Sequence, residues 1–187
     1  MKRTIHCNRH FYRWCEMDRV NLIYNHPQYR KLYTKLVLLE QSREFCNHNM
    51  THFLDVARLM YIRVLEEDIR IGKFDIKVLK EIIYAIGLLH DIGRVEQIEN
   101  GISHDVASAG LCEVILPECS FTEAETEIIK QAILHHRNSI WKDQQSDRSY
   151  LGQLLFWADK KSRKCYECKM TEACNWAETL KNKEIDY

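Results

Sequence analysis

Proline and glycine are scarce in this chain, two and six among 187 residues. Because these residues punctuate turns and interrupt regular elements, a turn-rich β architecture is excluded and long helices are expected. Neither sign of charge dominates, since 27 Lys and Arg face 27 Asp and Glu. That balance argues against a dedicated nucleic-acid or anionic-membrane binder. No apolar run approaches the roughly 18 residues that a bilayer-spanning helix needs. The start, MKRTIHCNRHFYRWC, carries two cations but no apolar secretory stretch. A cytoplasmic protein without a membrane partner is expected. Strand-like alternation of useful length, internal repeats and low-complexity segments are missing as well.

What is present is helical. Apolar residues make up 45% and charged residues 29%, an ordinary globular balance, and the length suits one domain over 1–187. Three- and four-residue spacing predicts a helix from Gln28 to Phe45, another from His52 to Asp68, and a third from Ile76 to His90. A loop with Asn100-Gly101 leads to Ser103, the expected N-cap of a fourth helix that Pro117 stops. Thr122 and Glu125 have capping-box spacing at the start of a fifth. A polar loop, KDQQSDRS, precedes a last helix containing LLFWADKKSR. The fold class expected is all-α, a multi-helix bundle.

Several ionisable residues lie on or beside apolar helix faces: His52, His90, Asp91, His104, His135, His136 and Asp159. A lone histidine of this kind is ordinarily a hydrogen-bonded core residue. Imidazoles and carboxylates gathered from five helices instead form a ligand set for Fe, Mn, Co, Ni or Zn. The stretch LLHDIGR sharpens the point. Neighbours on an ideal helix diverge by about 100 degrees, so His90 and Asp91 reach one ion only where the helix ends, and Gly93 suits such an ending. A buried ion then neutralises the Asp91 carboxylate, which in turn offsets part of the dication's charge.

This order of residues resembles the HD superfamily of metal-dependent phosphohydrolases. Its pattern of a histidine, an HD pair and a later aspartate matches His52 in THFLDVARL, His90-Asp91 in LLHDIGR and Asp159 in LFWADKKSR. The resemblance spans roughly 47–163, leaving 164–187 as a short cysteine-containing segment. It extends to the branch with extra histidines, for which His104 and His136 are the matching positions, with His135 as substitute. The resemblance implies six ligands, His52, His90, Asp91, His104, His136 and Asp159, holding two divalent ions. The Gly-Tyr-Pro element of the cyclic-dinucleotide phosphodiesterases is missing from HHRNSIWKDQQS.

Two close cations suit phosphate-ester hydrolysis, with one generating a metal-activated hydroxide and both stabilising charge on the phosphoryl oxygens. Asp91 is the natural bridge, and His90, Asp91, Arg94 and Lys160 are the expected catalytic residues. Arg94, Lys160 and Arg163 are candidates for holding a substrate phosphate, although a solvated helix end explains such cations equally well. Asp105 is either support for His104 or a solvated carboxylate at a helix start.

Eight cysteines in a reducing compartment are not a disulfide framework. Cys165, Cys168 and Cys174 are spaced C-x2-C-x5-C and point to zinc or an iron–sulfur cluster. Either needs a fourth ligand; Cys46 is preferred, with Cys7, Cys15 or His48 as alternatives. The pairing of FC-x-H with such a tail also resembles HD-domain proteins of anaerobic bacteria. Cys112 and Cys119 read as small core residues, and Trp176 as a packing anchor.

The function expected is hydrolysis of a small phosphorylated molecule, a nucleotide in particular. The alternatives are an HD-type diiron oxygenase, whose ligand set is similar, and a non-catalytic metal or redox sensor.

Overall fold

A computed structural model describes residues 17–136 and 147–187, with side chains of the second segment described from Tyr150 onward. The candidate ligands Cys7 and Cys15 and most of the KDQQSDRS loop lie outside the described residues. Eight α-helices run through the rest: α1 (Asp18–Asn25), α2 (Pro27–Leu39), α3 (Met50–Glu66), α4 (Ile76–Leu89), α5 (Arg94–Asn100), α6 (His104–Glu118), α7 (Glu123–His135) and α8 (Asp147–Lys161). Two short 3-10 turns follow, at Cys165–Glu167 and Glu178–Leu180. The described residues include no strand, and the all-α reading stands.

Local chemistry sets the helix starts. Asn49 Oδ1 accepts from the His52 amide at the head of α3. Asp75 Oδ1 accepts from Lys77 and Val78 at the head of α4. The capping box at α7 forms as its spacing predicts, Thr122 and Glu125 satisfying each other's backbone amides. Such caps are each worth about 1 kcal/mol.

The core holds these helices together. Phe53, Val56 and Met60 of α3 meet Ile82, Ile83 and Ile86 of α4, with Cys112, Ile115 and Ile133 from α6 and α7 and Leu151 and Leu155 from α8. All are fully buried, and each large aliphatic side chain contributes about 2 kcal/mol by leaving water. Cys112 and Cys119 sit in this core as small apolar residues. Arg19 on α1 ties two helices by pairing with Glu81 of α4 and Glu125 of α7.

Two glycines allow the approaches on which the site depends. A methyl on Gly87 would stand 2.7 Å from Ala57 Cβ and 2.8 Å from Phe53 O, so α4 lies directly on α3. A methyl on Gly93 would stand 2.5 Å from both His104 O and Ser108 N. The Gly93 backbone is ordinary right-handed helical at φ −69°. Its role is close approach to α6 rather than the conformational freedom the sequence suggests.

Two helix ends differ from expectation. The helix predicted to reach Phe45 stops at Leu39, because the Glu40 side chain turns inward to accept from His48 and the chain leaves the helical path. Pro117 lies inside α6, whose last residue is Glu118. Ser103 caps α6 without a side-chain hydrogen bond to its backbone; its hydroxyl donates to Asp105 instead.

Candidate metal centre

The HD pair sits where α4 gives way to α5. His90 is the α4 C-cap, and the Arg94 amide returns to Asp91 O to open the next helix. The backbone turns within this break, so both adjacent side chains face the same interior point. His52 arrives from the first turn of α3, His104 from the first residue of α6, His136 from the end of α7 and Asp159 from the last turn of α8. All six are buried.

Their donor atoms form two overlapping groups that share Asp91. Those of His52, His90, Asp91 and Asp159 all lie within 4.8 Å of one another, as do those of Asp91, His104 and His136. On one side Asp91 Oδ2 is 3.6 Å from His52 Nε2 and 3.4 Å from His90 Nε2. On the other, Oδ1 is 3.2 Å from His104 Nε2. One carboxylate thus faces both halves.

The imidazoles share one polarity. Nδ1 of His90 donates to Gly87 O at 2.9 Å, that of His104 to Gln97 Oε1 at 2.7 Å, and that of His136 to Ile133 O at 2.5 Å. His52 Nδ1 donates to Ser162 Oγ, whose own proton goes to Asp159 O. Every one of these partners fixes the tautomer and leaves the Nε2 lone pair pointing inward, as metal-binding histidines require.

The electrostatics agree. Burial pushes the His52 pKa from the usual 6.5 down to about 3 and lowers that of His136, which keeps both neutral. Burial also works to protonate Asp91, but neighbouring His90 and Arg94 outweigh it and hold the carboxyl well below its ordinary range. Asp159 is lowered too; against burial and Asp91, the charges of Lys160 and Arg163 prevail. Among these donors, His90 Nε2 and both Asp91 oxygens are buried without a hydrogen-bond partner. Inward lone pairs and ionised carboxylates, with His90 Nε2 and the Asp91 oxygens left without hydrogen-bond partners, fit a divalent cation.

His135, the substitute for His136, is exposed on α7. Asp105 accepts from Ser103 at the α6 start, outside both donor groups. Arg94 Nε stands 2.9 Å from Asp91 Oδ1, and Lys160 Nζ donates to Asp159 Oδ2 at 2.8 Å. Arg163 lies deeper than either. Its NH1 donates to Asn47 O, while NH2 is 2.9 Å from His52 Nε2 and 3.4 Å from Asp159 Oδ1. A cation already rests against this donor pair.

A cavity of about 530 Å³ opens over the centre. Its lining includes His48, His104, His136 and Asp159, the cations Arg43, Arg94, Lys160 and Arg163, and Cys46, Cys174 and Trp176 from the loop and tail. Trp176 is seated over Lys160 at 4.6 Å from its ring centre. Among the lining residues that sequence reasoning did not assign to this site are Arg43 and His48. Arg43 belongs to a predicted helix that is in fact loop, and His48 was weighed only as a ligand for the tail.

His48 is instead buried against the carboxylates. Its Nδ1 is 2.6 Å from Glu40 Oε1, its amide donates to Glu40 Oε2 at 2.7 Å, and its Nε2 is 3.5 Å from Asp91 Oδ2. Its short distance in sequence to Cys46 conceals this, because on a loop two residues can face different neighbours.

The fold and the paired donor groups define an all-α protein with a divalent-metal centre built from histidine and aspartate. Residues 49–164 match the HD domain family, and the chain belongs to it. HD domains are generally metal-dependent phosphohydrolases, and the buried cluster is an HD-type site with extra histidines. The chain is similar to an uncharacterized protein of Clostridium beijerinckii, with 42% identity over 91% of this chain and all of that protein. No solved structure matches it. Among the described residues, no helix is long and apolar enough to cross a membrane.

Proposed function

We propose that the protein is a metal-dependent phosphohydrolase acting on a small phosphorylated molecule, a nucleotide in particular. The observation that carries this reading is one cavity with His104, His136 and Asp159 of the centre in its wall and four cationic side chains around it. Its volume is within the range of small-molecule sites. When bound, divalent ions supply an acidified water and charge that offsets the phosphoryl oxygens. Asp91 keeps the two donor groups in register through its two oxygens. Arg94 and Lys160 are held in place by ligand carboxylates, so they meet phosphate oxygens without first losing much side-chain freedom. Arg163 has a different part. A single lone pair on His52 cannot serve both a guanidinium and an ion, so Arg163 NH2 withdraws when His52 ligates.

The protein purified with Fe²⁺, Mn²⁺ or Co²⁺ should hydrolyse members of a nucleotide panel, and chelation should stop it. Two bound ions with no turnover under any metal would overturn the reading. Oxygen uptake without phosphate release would identify an oxygenase instead.

We also propose that Cys46, Cys165, Cys168 and Cys174 bind a second inorganic centre at the cavity edge. Cys46 and Cys174, far apart in the chain, line the same cavity, and the Arg163–Asn47 hydrogen bond joins the Cys46 loop to the start of the tail. Burial raises the Cys46 pKa, and the other three thiols raise it further. Four such ligands suit zinc or an iron–sulfur cluster, and only the cluster gives colour and sulfide. Anaerobically isolated protein should be brown and contain acid-labile sulfide, both lost in Cys46→Ser. Zinc alone would rule out the cluster, and no metal would refute the centre.

A further inference from the structure

Glu40 and His48 form a buried pair that the six-ligand pattern does not use. Glu40 stands just past the end of α2, a position ordinarily open to water, yet the side chains of Glu40 and His48 are only 5% and 3% exposed. Two hydrogen bonds from one residue hold the carboxylate, one from the His48 amide and one from Nδ1. Against the opposing effect of burial, they keep Glu40 below the ordinary carboxyl pKa. With Nδ1–H committed to Glu40, the Nε2 lone pair is the one that faces Asp91 Oδ2 at 3.5 Å.

An acceptor facing an acceptor in a buried site is repulsive unless a positive charge lies between them. A metal ion coordinated by both would supply it. The same inward polarity marks the four imidazoles already described, and a carboxylate on the outer nitrogen is a recurrent support for metal-binding histidine. The His48 ring also meets that of His52 edge-on, with centroids 5.6 Å apart.

We propose that His48, oriented by Glu40, is a seventh metal ligand on the Oδ2 side of Asp91. The inference rests on the metal-centre reading and deepens it. His48 stands outside the 4.8 Å donor groups, and it comes from a loop rather than a helix, so it completes the shell by a small loop movement. The Oδ2 side then has His48, His52, His90, Asp91 and Asp159, whereas the Oδ1 side has only Asp91, His104 and His136. Open coordination positions therefore fall on the Oδ1 side, beside Arg94, and that is where a substrate phosphate binds.

The test is a Co²⁺ titration of metal-stripped protein, followed by visible absorption and ion stoichiometry. Wild type should take up two ions at this centre, and a failure there would sink the metal reading itself rather than the role of His48. His48→Gln should weaken one of the two ions and change its d–d absorption. Glu40→Gln should weaken the same ion by about 10–100-fold, the usual effect of losing a ligand's support. His48→Gly, which opens the cavity wall, should regain affinity when free imidazole is added. Isotherms and spectra of His48→Gln that match wild type would overturn the proposal. So would a weakened His48→Gly that imidazole fails to restore, since that outcome marks a loop-folding role.

Discussion

The histidine–aspartate centre and the cysteine tail both gather chemistry from distant parts of the chain, but they are held by different forces. The centre is fixed by helix packing: α3 lies on α4 at Gly87, α5 abuts α6 at Gly93, and each imidazole is anchored through its outer nitrogen. The tail past Lys161 contributes few buried side chains. Side-chain hydrogen bonds to backbone carbonyls hold it instead. Asn182 donates to Lys160 O and Arg163 O, and Thr171 to Cys165 O and Cys168 O. A site built by packing is organised before any ion arrives. One built by a few polar ties depends far more on its ion for order.

Breaking the shared carboxylate should have the largest effect. Asp91→Ala removes the one ligand common to both donor groups, so both ions and essentially all hydrolysis should be lost, while the tail's colour and sulfide content remain. Elemental analysis beside a phosphate-release assay checks this. Loss of the tail centre in the same variant would show that the two regions are not separately built.

Gly93→Ala comes next. Its methyl would drive the α4–α5 turn off the α6 backbone, and overpacking of this kind costs about 1–3 kcal/mol. Urea unfolding should register that loss, and metal affinity should fall with it because His104 moves relative to His90 and Asp91.

Acid should separate the regions without mutation. The buried imidazoles of His48, His52 and His136 have folded pKa values below their usual 6.5. As pH falls below about 6.5 the unfolded chain binds protons first, so stability contributed by these groups is present above that pH and declines beneath it. The lowered Asp91 and Asp159 add a second loss below their usual 3.8. Metal-free protein unfolded by urea at successive pH values should show this two-stage decline, and a flat profile between 6.5 and 5 would contradict it.

The smallest effect is expected from Asn182→Ala. It removes the donor that ties the tail to the end of α8, a loss of about 1 kcal/mol. Limited proteolysis should cut the tail faster, with the divalent ions of the main centre retained.

Much of this was readable beforehand because the signals are local. Thr122 and Glu125 announce a capping box by spacing alone, and a histidine and aspartate placed where an apolar helix ends need little context to suggest a ligand pair. His136 could not be told from His135 in this way, as adjacent positions differ only in the direction the helix end imparts. The loop from Gln41 to Asn49 was harder still. Helical periodicity carries on through Phe45 in the sequence, yet the inward turn of Glu40 toward His48 stops the helix, and no pattern in neighbouring residues records a contact made across a loop.

The sequence by itself determined the helical class, the starts of the main helices and the kinds of side chain available to hold metal. These follow from short-range propensity and from the chemistry of single residues. Only the tertiary structure decided that His48 faces Asp91, that Arg163 lies against His52, and that Cys46 and Cys174 share a cavity with Lys160. Those placements depend on where α2 ends and how closely α3, α4 and α6 approach, which is set by packing over the whole core.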